Sequence, residues 1–276
     1  MVLNPGAGWP SWQPQSVERW RDGERLFLED PVAEEVPVVL VYNGEPHVVM
    51  LATPLDLEDF AVGFSLTEGI VETSSEIASV GVYHRAKGIE VRIQIPEARC
   101  DQALSRSRNL TGRTGCGLCG ARSLEAAVRT PPPIRARGRI SQHRLSEALR
   151  ALPAEQKINT LTGAVHAAGW FSLADDGVPT VREDVGRHNA LDKLIGALSA
   201  RRMSPAEGFV VVTSRASYEM VQKCGMAGIG LMAAISAPTG LAIRLAETVG
   251  LTLVGFAREH GHVVYTHPGR LSDDER

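Results

Sequence analysis

The chain has 276 residues, of which 43% are hydrophobic and 22% charged, and its formal net charge is −3. This composition is typical of a globular protein and gives no indication of the strongly basic surface that nucleic-acid binding requires. No apolar run approaches the roughly 18 residues of a membrane-spanning helix, and residues 1–21 lack the basic-then-apolar pattern of a secretion signal. We therefore expect a cytoplasmic protein that binds neither nucleic acid nor membrane.

The sequence of the N-terminal half predicts a flexible tail at residues 1–20 followed by a small α+β domain. Alternating β-branched residues predict two strand pairs, and a run with helical periodicity lies between them. The predicted strands cover residues 36–42, 47–52, 80–83 and 89–95, and the helix runs from about Asp56 to Gly69. The tail and these elements together form a predicted N-terminal region that ends at residue 130.

The triple proline at residues 131–133 is expected to separate a domain at 21–130 from a second at 134–276. A helix at 141–152 opens the second half, which then alternates between apolar strands and helices. The predicted strands are 208–213, 231–235 and 251–256, and the helices between them are 218–226 and 240–250. Short connections between alternating strands and helices imply right-handed crossovers and a parallel sheet, which places the protein in the α/β class.

Two of the four cysteines, Cys116 and Cys119, form a Cys-x-x-Cys pair in a loop rich in glycine and arginine. The helix-prone residues 121–129 follow directly, so free amides at a helix N-terminus would stabilise a thiolate. Arg113 and Arg122 add positive charge nearby. These features lower the pKa of a thiol below its free value of about 8.5 and predict a nucleophile that is active at neutral pH.

Other uses of such a pair are less well supported. A structural zinc site needs four ligands, and neither Cys100 nor Cys224 has a close partner in the sequence. A thioredoxin-like dithiol is expected after the first strand of a compact redox fold, whereas this pair follows two predicted hairpins. A zinc deaminase needs Pro-Cys-x-x-Cys and an upstream His-x-Glu, but Gly115 replaces the proline and His166 lies downstream without the glutamate. Cys224, in an apolar helix, is predicted to be a packing residue.

Five polar segments of the second half are candidates for contact with an anionic ligand. They comprise residues 162–168, 182–193, 213–217, 236–240 and 256–261, and the last three of them follow the predicted strands. Arg187 and His188 stand at a predicted helix start, which suits a phosphate or an anionic ring; the alternative is a capped helix with surface ion pairs. Loops at the ends of parallel strands meet at one edge of a sheet, so the three segments 213–217, 236–240 and 256–261 predict a pocket of nucleotide size.

Several motifs in this order resemble the FdhD family of formate dehydrogenase accessory sulfurtransferases, over residues from about 36 to the C-terminus. They are Cys116-Gly-Leu-Cys119-Gly120, the segments 162–168, 183–193 and 214–221, and the final segment 263–268. The resemblance implies a protein that takes sulfur from a cysteine desulfurase as a persulfide. It implies transfer of that sulfur to the molybdenum bis(molybdopterin guanine dinucleotide) cofactor that formate dehydrogenase needs.

The same resemblance assigns roles to residues. Cys116 would carry the persulfide and Cys119 would assist it. The implied cofactor-binding loop consists of Phe256, Ala257, Arg258, Glu259, His260 and Gly261. The implied fold is a cytidine deaminase-like C-terminal domain with a smaller N-terminal α+β domain, assembled as a homodimer without a permanently bound metal.

Two further functions stay open at this stage. A non-catalytic chaperone could bind the guanine dinucleotide cofactor and deliver it without using Cys116 chemically. A thiol–disulfide oxidoreductase would instead turn over small disulfides with the Cys-x-x-Cys pair alone.

Overall fold

The computed structural model describes residues 8–101, 129–135, 138–173 and 178–273. These residues form an N-terminal ribbon, a unit built on a four-stranded sheet and a unit built on a six-stranded sheet. None of the helices in the described ranges is long and apolar enough to cross a membrane. The boundary at residues 131–133 stays a prediction.

The ribbon consists of β1 (Trp12–Arg21) and β2 (Glu24–Ala33), which pair antiparallel along their whole length. The turn residues Asp22 and Gly23 have φ of 52° and 86°, and two positive φ values are what a type I′ hairpin turn requires. The prediction of a tail over residues 1–20 is therefore wrong for residues 12–20. The signal that it missed was the Asp-Gly pair between two alternating segments.

The N-terminal unit contains the predicted hairpin, helix and second strand pair. Its elements are β3 (Val36–Tyr42), β4 (Glu45–Ala52), α1 (Leu57–Thr67), β5 (Ser79–Arg85) and β6 (Gly88–Gln94). The strand order is β4-β3-β6-β5, with β3 and β6 parallel and the outer pairs antiparallel. One sheet face packs against α1 through its predicted apolar side, Leu57, Phe60, Ala61 and Phe64, all of which are buried.

In the described ranges, the C-terminal unit contains five helices and the remaining eight strands. Its helices are α2 (Gln142–Glu155), α3 (Lys157–Thr162), α4 (Arg187–Ala200), α5 (Tyr218–Met226) and α6 (Gly240–Val249). Its strands are β7 (Ile140–Ser141), β8 (His166–Ser172), β9 (Thr180–Asp184), β10 (Gly208–Val212), β11 (Leu231–Ala234), β12 (Thr252–Arg258), β13 (Gly261–Val264) and β14 (Leu271–Ser272).

The central sheet has the order β13-β12-β11-β10-β8-β9. The three predicted strands β10, β11 and β12 are parallel, as expected, and β8, β9 and β13 add antiparallel strands that the sequence pattern did not predict. One face packs against α4, α5 and α6, and the other packs against α2. The α/β fold class is confirmed.

Helices α1 and α4 join the two units where two glycines let their backbones approach closely. A Cβ atom added to Gly63 of α1 would lie 1.7 Å from the Asp192 carbonyl oxygen, and one added to Gly196 of α4 would lie 1.9 Å from the Asp59 carbonyl oxygen. Any larger side chain would push the helices apart, so both positions require glycine for this crossing.

Gly63→Ala is expected to destabilise the protein by about 3 kcal/mol or more, because the clash is with main chain that cannot rotate away. Urea unfolding followed by circular dichroism measures the change. Gly269→Ala is the matched control, because a Cβ there meets no atom within 4 Å. Equal stability of the two variants would contradict this account of the crossing.

Candidate functional site

The polar segments predicted from the sequence meet at one edge of the six-stranded sheet. The parallel strands β10, β11 and β12 end there, and the antiparallel β8 begins there at His166, which pairs with Asp184 at the end of β9. Contacts between the loops confirm the arrangement: Phe256 N donates to Ser236 O over 3.2 Å, and Ala216 forms a parallel bridge with Pro238. The prediction that these strand ends share one edge is therefore confirmed.

This edge is long enough for an extended ligand. Going from β12 to β9 crosses four strand spacings in the order β12-β11-β10-β8-β9. At about 4.8 Å for each spacing, the edge measures about 19 Å. A ligand that reaches from the 256–261 loop to the start of α4 would therefore have to be about 19 Å long.

The 256–261 segment, predicted as a loop, consists of the end of β12, a two-residue turn and the first residue of β13, and we keep the name 256–261 loop for it. Its first residue has a strained conformation. Phe256 has φ of 50° and its side chain is half exposed, while the neighbouring Ala257 is buried. The pairing of β12 with β13 is irregular between Gly255 and Arg258, so the strand bends here. A bulky residue in the left-handed region costs of order 1–3 kcal/mol, and such strain is typical of functional sites. The bend presents the Phe256 ring to solvent at the edge.

The other members of this loop have different surroundings. The Arg258 guanidinium donates to the carbonyl oxygens of Ile235 and Ala257, so it ties the ends of β11 and β12 together. Glu259 lies 3.8 Å from Arg150 of α2. The His260 side chain is 91% exposed and Gly261 is exposed at the tip. Phe256, Arg258, His260 and Gly261 are thus all exposed and accessible to a ligand, and Arg258 also holds the end of β12 against β11.

A cluster of polar groups occupies the opposite end of the edge. His166 is half-buried, and burial lowers its pKa, with further lowering from the nearby Arg187 and His188. His188 Nε2 lies 2.7 Å from a carboxylate oxygen of Glu219, in the first turn of α5. His166 is therefore expected to be a neutral imidazole at neutral pH, which can accept a hydrogen bond or a proton.

Two donors in this cluster are buried and lack an acceptor among the residues that the structure describes. They are Arg187 Nε and Ser217 Oγ. Buried polar atoms are almost always hydrogen-bonded in folded proteins, so unmatched donors at a strand-end site suit an anionic or polar ligand. Ser217 lies in the predicted 213–217 segment, whereas Glu219 was not given a role from the sequence, because an acidic residue in the first turn of a helix is ordinary.

Most of the 182–193 segment has a structural role, which corrects its interpretation as a ligand-binding motif. The Glu183 carboxylate accepts hydrogen bonds from the main-chain amides of Ile158 and Asn159, at 2.9 and 2.8 Å, and so caps α3. Asp184 accepts from the Thr53 amide at 3.0 Å and lies 2.7 Å from the fully buried Lys193 ammonium. These residues attach α4 to the end of the β3–β4 hairpin.

A second buried ion pair reinforces the same junction. The Lys223 ammonium of α5 lies 2.9 Å from Asp192 of α4 and 3.0 Å from Glu68, directly after α1. Thr67 donates to Asp192 over 2.7 Å. These partners raise the pKa of Lys223 against the opposing effect of burial. In the 182–193 segment, only Arg187 and His188 therefore remain as candidates for ligand contact.

Cys116 and Cys119 lie outside the described residues, as do Arg113 and Arg122. The chain is described again from Arg129, whose carbonyl oxygen accepts from the Tyr218 hydroxyl at 2.7 Å and whose guanidinium donates to Glu68 O at 3.0 Å. Arg129 is therefore fixed beside the start of α5. Cys119 lies ten residues before Arg129, and ten residues of fully extended chain reach at most about 35 Å.

The two cysteines that the structure does describe are buried and unpaired. Cys224 is fully buried in α5, which confirms its packing role, and Cys100 is buried in the N-terminal core. Among the described residues, no group of three histidine, cysteine or acidic side chains is arranged to hold a metal ion.

Comparison with known proteins identifies the family. A model of the FdhD/NarQ family matches residues 33–272. The chain belongs to this family. It is 54% identical over 257 residues to the sulfur carrier protein FdhD of Xanthomonas axonopodis pv. citri, which covers 93% of this chain and 91% of that protein. It is 51% identical over 265 residues to the protein of the same name from Cupriavidus necator, covering 96% and 92%.

A solved structure of the same type supports the fold. The crystal structure of a candidate formate dehydrogenase accessory protein from Desulfotalea psychrophila superposes with a TM-score of 0.74 at 25% identity. The match covers 95% of this chain and all of that one. Both units of the FdhD/NarQ chain described above therefore belong to one recurring fold.

Arg187→Gln is expected to raise the pKa of His166 toward its ordinary value, because the substitution removes a positive charge that disfavours the protonated imidazole. Titration of the imidazole C–H resonances by NMR measures this shift. Arg202→Gln, which removes an arginine that is not among the groups acting on His166, is the control. An unchanged titration in Arg187→Gln would show that the guanidinium does not act on His166.

Proposed function

We propose that this chain is a sulfur carrier, acting as a sulfurtransferase in the maturation of formate dehydrogenase. In this proposal Cys116 receives persulfide sulfur from a cysteine desulfurase and passes it to molybdenum bis(molybdopterin guanine dinucleotide), which is the cargo. The relatives named sulfur carrier protein FdhD, at 54% and 51% identity over most of both chains, support the part of the proposal that concerns sulfur. The polar groups at the edge of the six-stranded sheet support the other part, the binding of the cofactor, which we call the cargo half.

Sulfur acquisition follows from thiol chemistry. The Cys116 thiolate attacks the terminal sulfur of the donor's persulfide, a new S–S bond forms on Cys116, and the donor cysteine leaves as a thiolate. A low thiol pKa favours this step, because the thiolate is the nucleophile. In the transfer, the S–S bond breaks with its electron pair staying on the Cys116 sulfur, the terminal sulfur passes to the cargo as a neutral sulfane atom, and Cys116 returns to its thiolate form. Cys119 is proposed to assist, as a neighbouring thiol that can take part in the exchange.

The observation that carries the cargo half is the convergence of five polar segments along about 19 Å of sheet edge. In the proposal, the guanine base stacks on the Phe256 ring at one end, within the loop that includes Ala257, Arg258, Glu259, His260 and Gly261. The anionic remainder extends toward Arg187 and Ser217, whose buried donors lack acceptors among the described residues. An aromatic platform and charge-assisted donors are the groups that such an anionic nucleotide requires.

Arg129 connects the Cys-x-x-Cys segment to α5 in the described structure. Its carbonyl oxygen accepts from Tyr218 in the first turn of α5, and it lines a cavity together with Met226 and Ala227 at the other end of that helix. In the proposal, the segment that carries Cys116 and Cys119 reaches the cargo from beside α5, because sulfur moves only between atoms in contact.

Incubation with a cysteine desulfurase and cysteine is expected to add one sulfur to the protein, a gain of about 32 Da that disappears in Cys116→Ala. Intact-protein mass spectrometry after removal of small thiols measures it. Cys224→Ala, which removes a buried thiol, is the control and is expected to keep the gain.

A second measurement separates the carrier from a non-catalytic chaperone. Purified formate dehydrogenase matured with Cys116→Ala is expected to be inactive while still containing the guanine dinucleotide cofactor. Full activity with that variant would refute sulfur transfer and favour the chaperone. Turnover of a small disulfide by the protein alone would instead indicate a thiol–disulfide oxidoreductase.

Phe256→Ser is expected to weaken binding of GDP about tenfold, because stacking on an aromatic ring contributes about 1–3 kcal/mol per base. Isothermal titration calorimetry with GDP measures this change. Tyr83→Ser removes an aromatic ring of similar exposure on the N-terminal unit and serves as the control. Unchanged GDP affinity in Phe256→Ser would show that the guanine base does not stack on the Phe256 ring.

A further inference from the structure

Arg215, in the loop between β10 and α5, has no carboxylate partner among the residues that the structure describes. Its side chain is exposed, and it takes part in none of the ion pairs of the described ranges. Arg182, by contrast, lies 2.7 Å from a carboxylate oxygen of Asp59. Single charged side chains are ordinary on protein surfaces. The groups around Arg215 are what distinguish it.

Two carboxylates at the same sheet edge are engaged by other groups. Glu219 lies 2.7 Å from His188 Nε2. Asp184, at the end of β9, lies 2.7 Å from the Lys193 ammonium. These two carboxylates therefore do not neutralise Arg215, and an anion that approaches the centre of the edge meets its positive charge.

Helix α5 begins beside Arg215 without a capping side chain. Its N-cap residue, Ser217, makes no capping hydrogen bond, and the buried Oγ of Ser217 has no partner among the described residues. The N-cap residues of α2 and α6, Ser141 and Thr239, each accept a hydrogen bond from a first-turn amide. The first amides of a helix have no partner within the helix itself. At α5, these amides and the Ser217 hydroxyl can therefore bind an acceptor from outside the chain.

The main chain of this loop is held from both sides. Ala216 N donates to Ala237 O over 3.3 Å, and Thr239 N donates to Ala216 O over 3.0 Å. On the other side, Ala167 N donates to Thr213 Oγ1 over 2.9 Å. Donors on a backbone that is fixed in this way lose little conformational entropy when a ligand binds.

Strand β10 is the middle strand of the sheet edge. It lies two strand spacings from β12 and two from β9, so its end is about 10 Å along the edge from each of theirs. In a guanine dinucleotide, the diphosphate links the guanosine to the rest of the molecule. A ligand with its base on the Phe256 ring therefore brings its diphosphate to the centre of the edge before it reaches Arg187.

We propose that the Arg215 guanidinium, the Ser217 hydroxyl and the first amides of α5 form a binding subsite for the diphosphate of a guanine nucleotide. A guanidinium donates two parallel hydrogen bonds to a phosphate, and a hydroxyl and helix amides bind its other oxygens. The inference rests on the proposed binding of the cofactor at this edge. It adds Arg215 and an order along the edge, with the base at Phe256, the diphosphate at Arg215 and further anionic groups at Arg187.

Isothermal titration calorimetry of the full chain with GDP, guanosine and inorganic pyrophosphate tests the subsite. Arg215→Gln is expected to weaken binding of GDP and pyrophosphate about tenfold or more, because a charge-assisted contact is lost. Guanosine binding is expected to stay unchanged. Arg215→Lys is expected to lie between the two, because lysine keeps the charge without the planar pair of donors. Ser217→Ala is expected to weaken the same two ligands by a smaller factor.

Arg202→Gln is the matched control, because it removes the same charge beyond the C-terminal end of α4, the opposite end from Arg187. It is expected to bind all three ligands as the wild type does. Thermal melting by circular dichroism is expected to be unchanged in Arg215→Gln and Arg202→Gln, since both side chains are exposed. Equal losses of pyrophosphate affinity in the two variants would show a response to net charge alone and would overturn the subsite.

The three ligands also separate the subsite from the proposed binding of the cofactor. A wild-type chain that binds guanosine but not pyrophosphate would overturn the subsite and leave cofactor binding standing, and so would unchanged GDP affinity in Arg215→Gln. Phe256→Ser is expected to weaken guanosine and GDP binding but not pyrophosphate binding, because only the base stacks. A wild-type chain that binds none of the three ligands would overturn both proposals.

Discussion

The close crossing of α1 and α4 is the contact on which the rest of this structure depends. Gly63 and Gly196 bring the two helix backbones together, and two buried ion pairs, Lys193 with Asp184 and Lys223 with Asp192, lie beside the crossing. Buried ion pairs contribute little net stability, but losing one partner leaves an uncompensated charge. The two ion pairs therefore fix the relative position of the two units and add little to the free energy of unfolding.

That fixed position determines the geometry of the candidate site. Asp184 ends β9, and Arg187 begins α4 three residues later, so the same segment that attaches the units also directs Arg187 and His188 to the sheet edge. Glu68 and Tyr218 hold Arg129 beside α5. The site and the crossing thus share the segment from Asp184 to His188, and Arg129, at which the described chain resumes, contacts the same junction through Glu68.

The two ends of the sheet edge differ in chemistry. At one end, the strained Phe256 presents an aromatic ring to solvent, which suits a base. At the other, His166 is kept neutral by burial and by neighbouring positive charge, and two buried donors lack acceptors among the described residues. A single extended ligand with a base at one end and anionic groups along its length satisfies both ends. Neither end alone would indicate so long a ligand.

The sequence by itself predicted many of the local elements, and it predicts a reactive cysteine pair that lies outside the described residues. Periodicity predicted the β3–β4 hairpin, α1 and the three parallel strands, because buried faces repeat with the period of the element. Periodicity missed the β1–β2 ribbon, for which the Asp-Gly turn was the available signal, and it missed β8, whose small residues carry no clear strand pattern.

The sequence pattern made residues 182–193 resemble a single ligand-binding motif, because residues that cap helices, form ion pairs or bind ligands have the same kinds of polar side chain. Only the tertiary structure separated them: Glu183, Asp184, Asp192 and Lys193 face partners that are distant in sequence, and no local pattern encodes such partners.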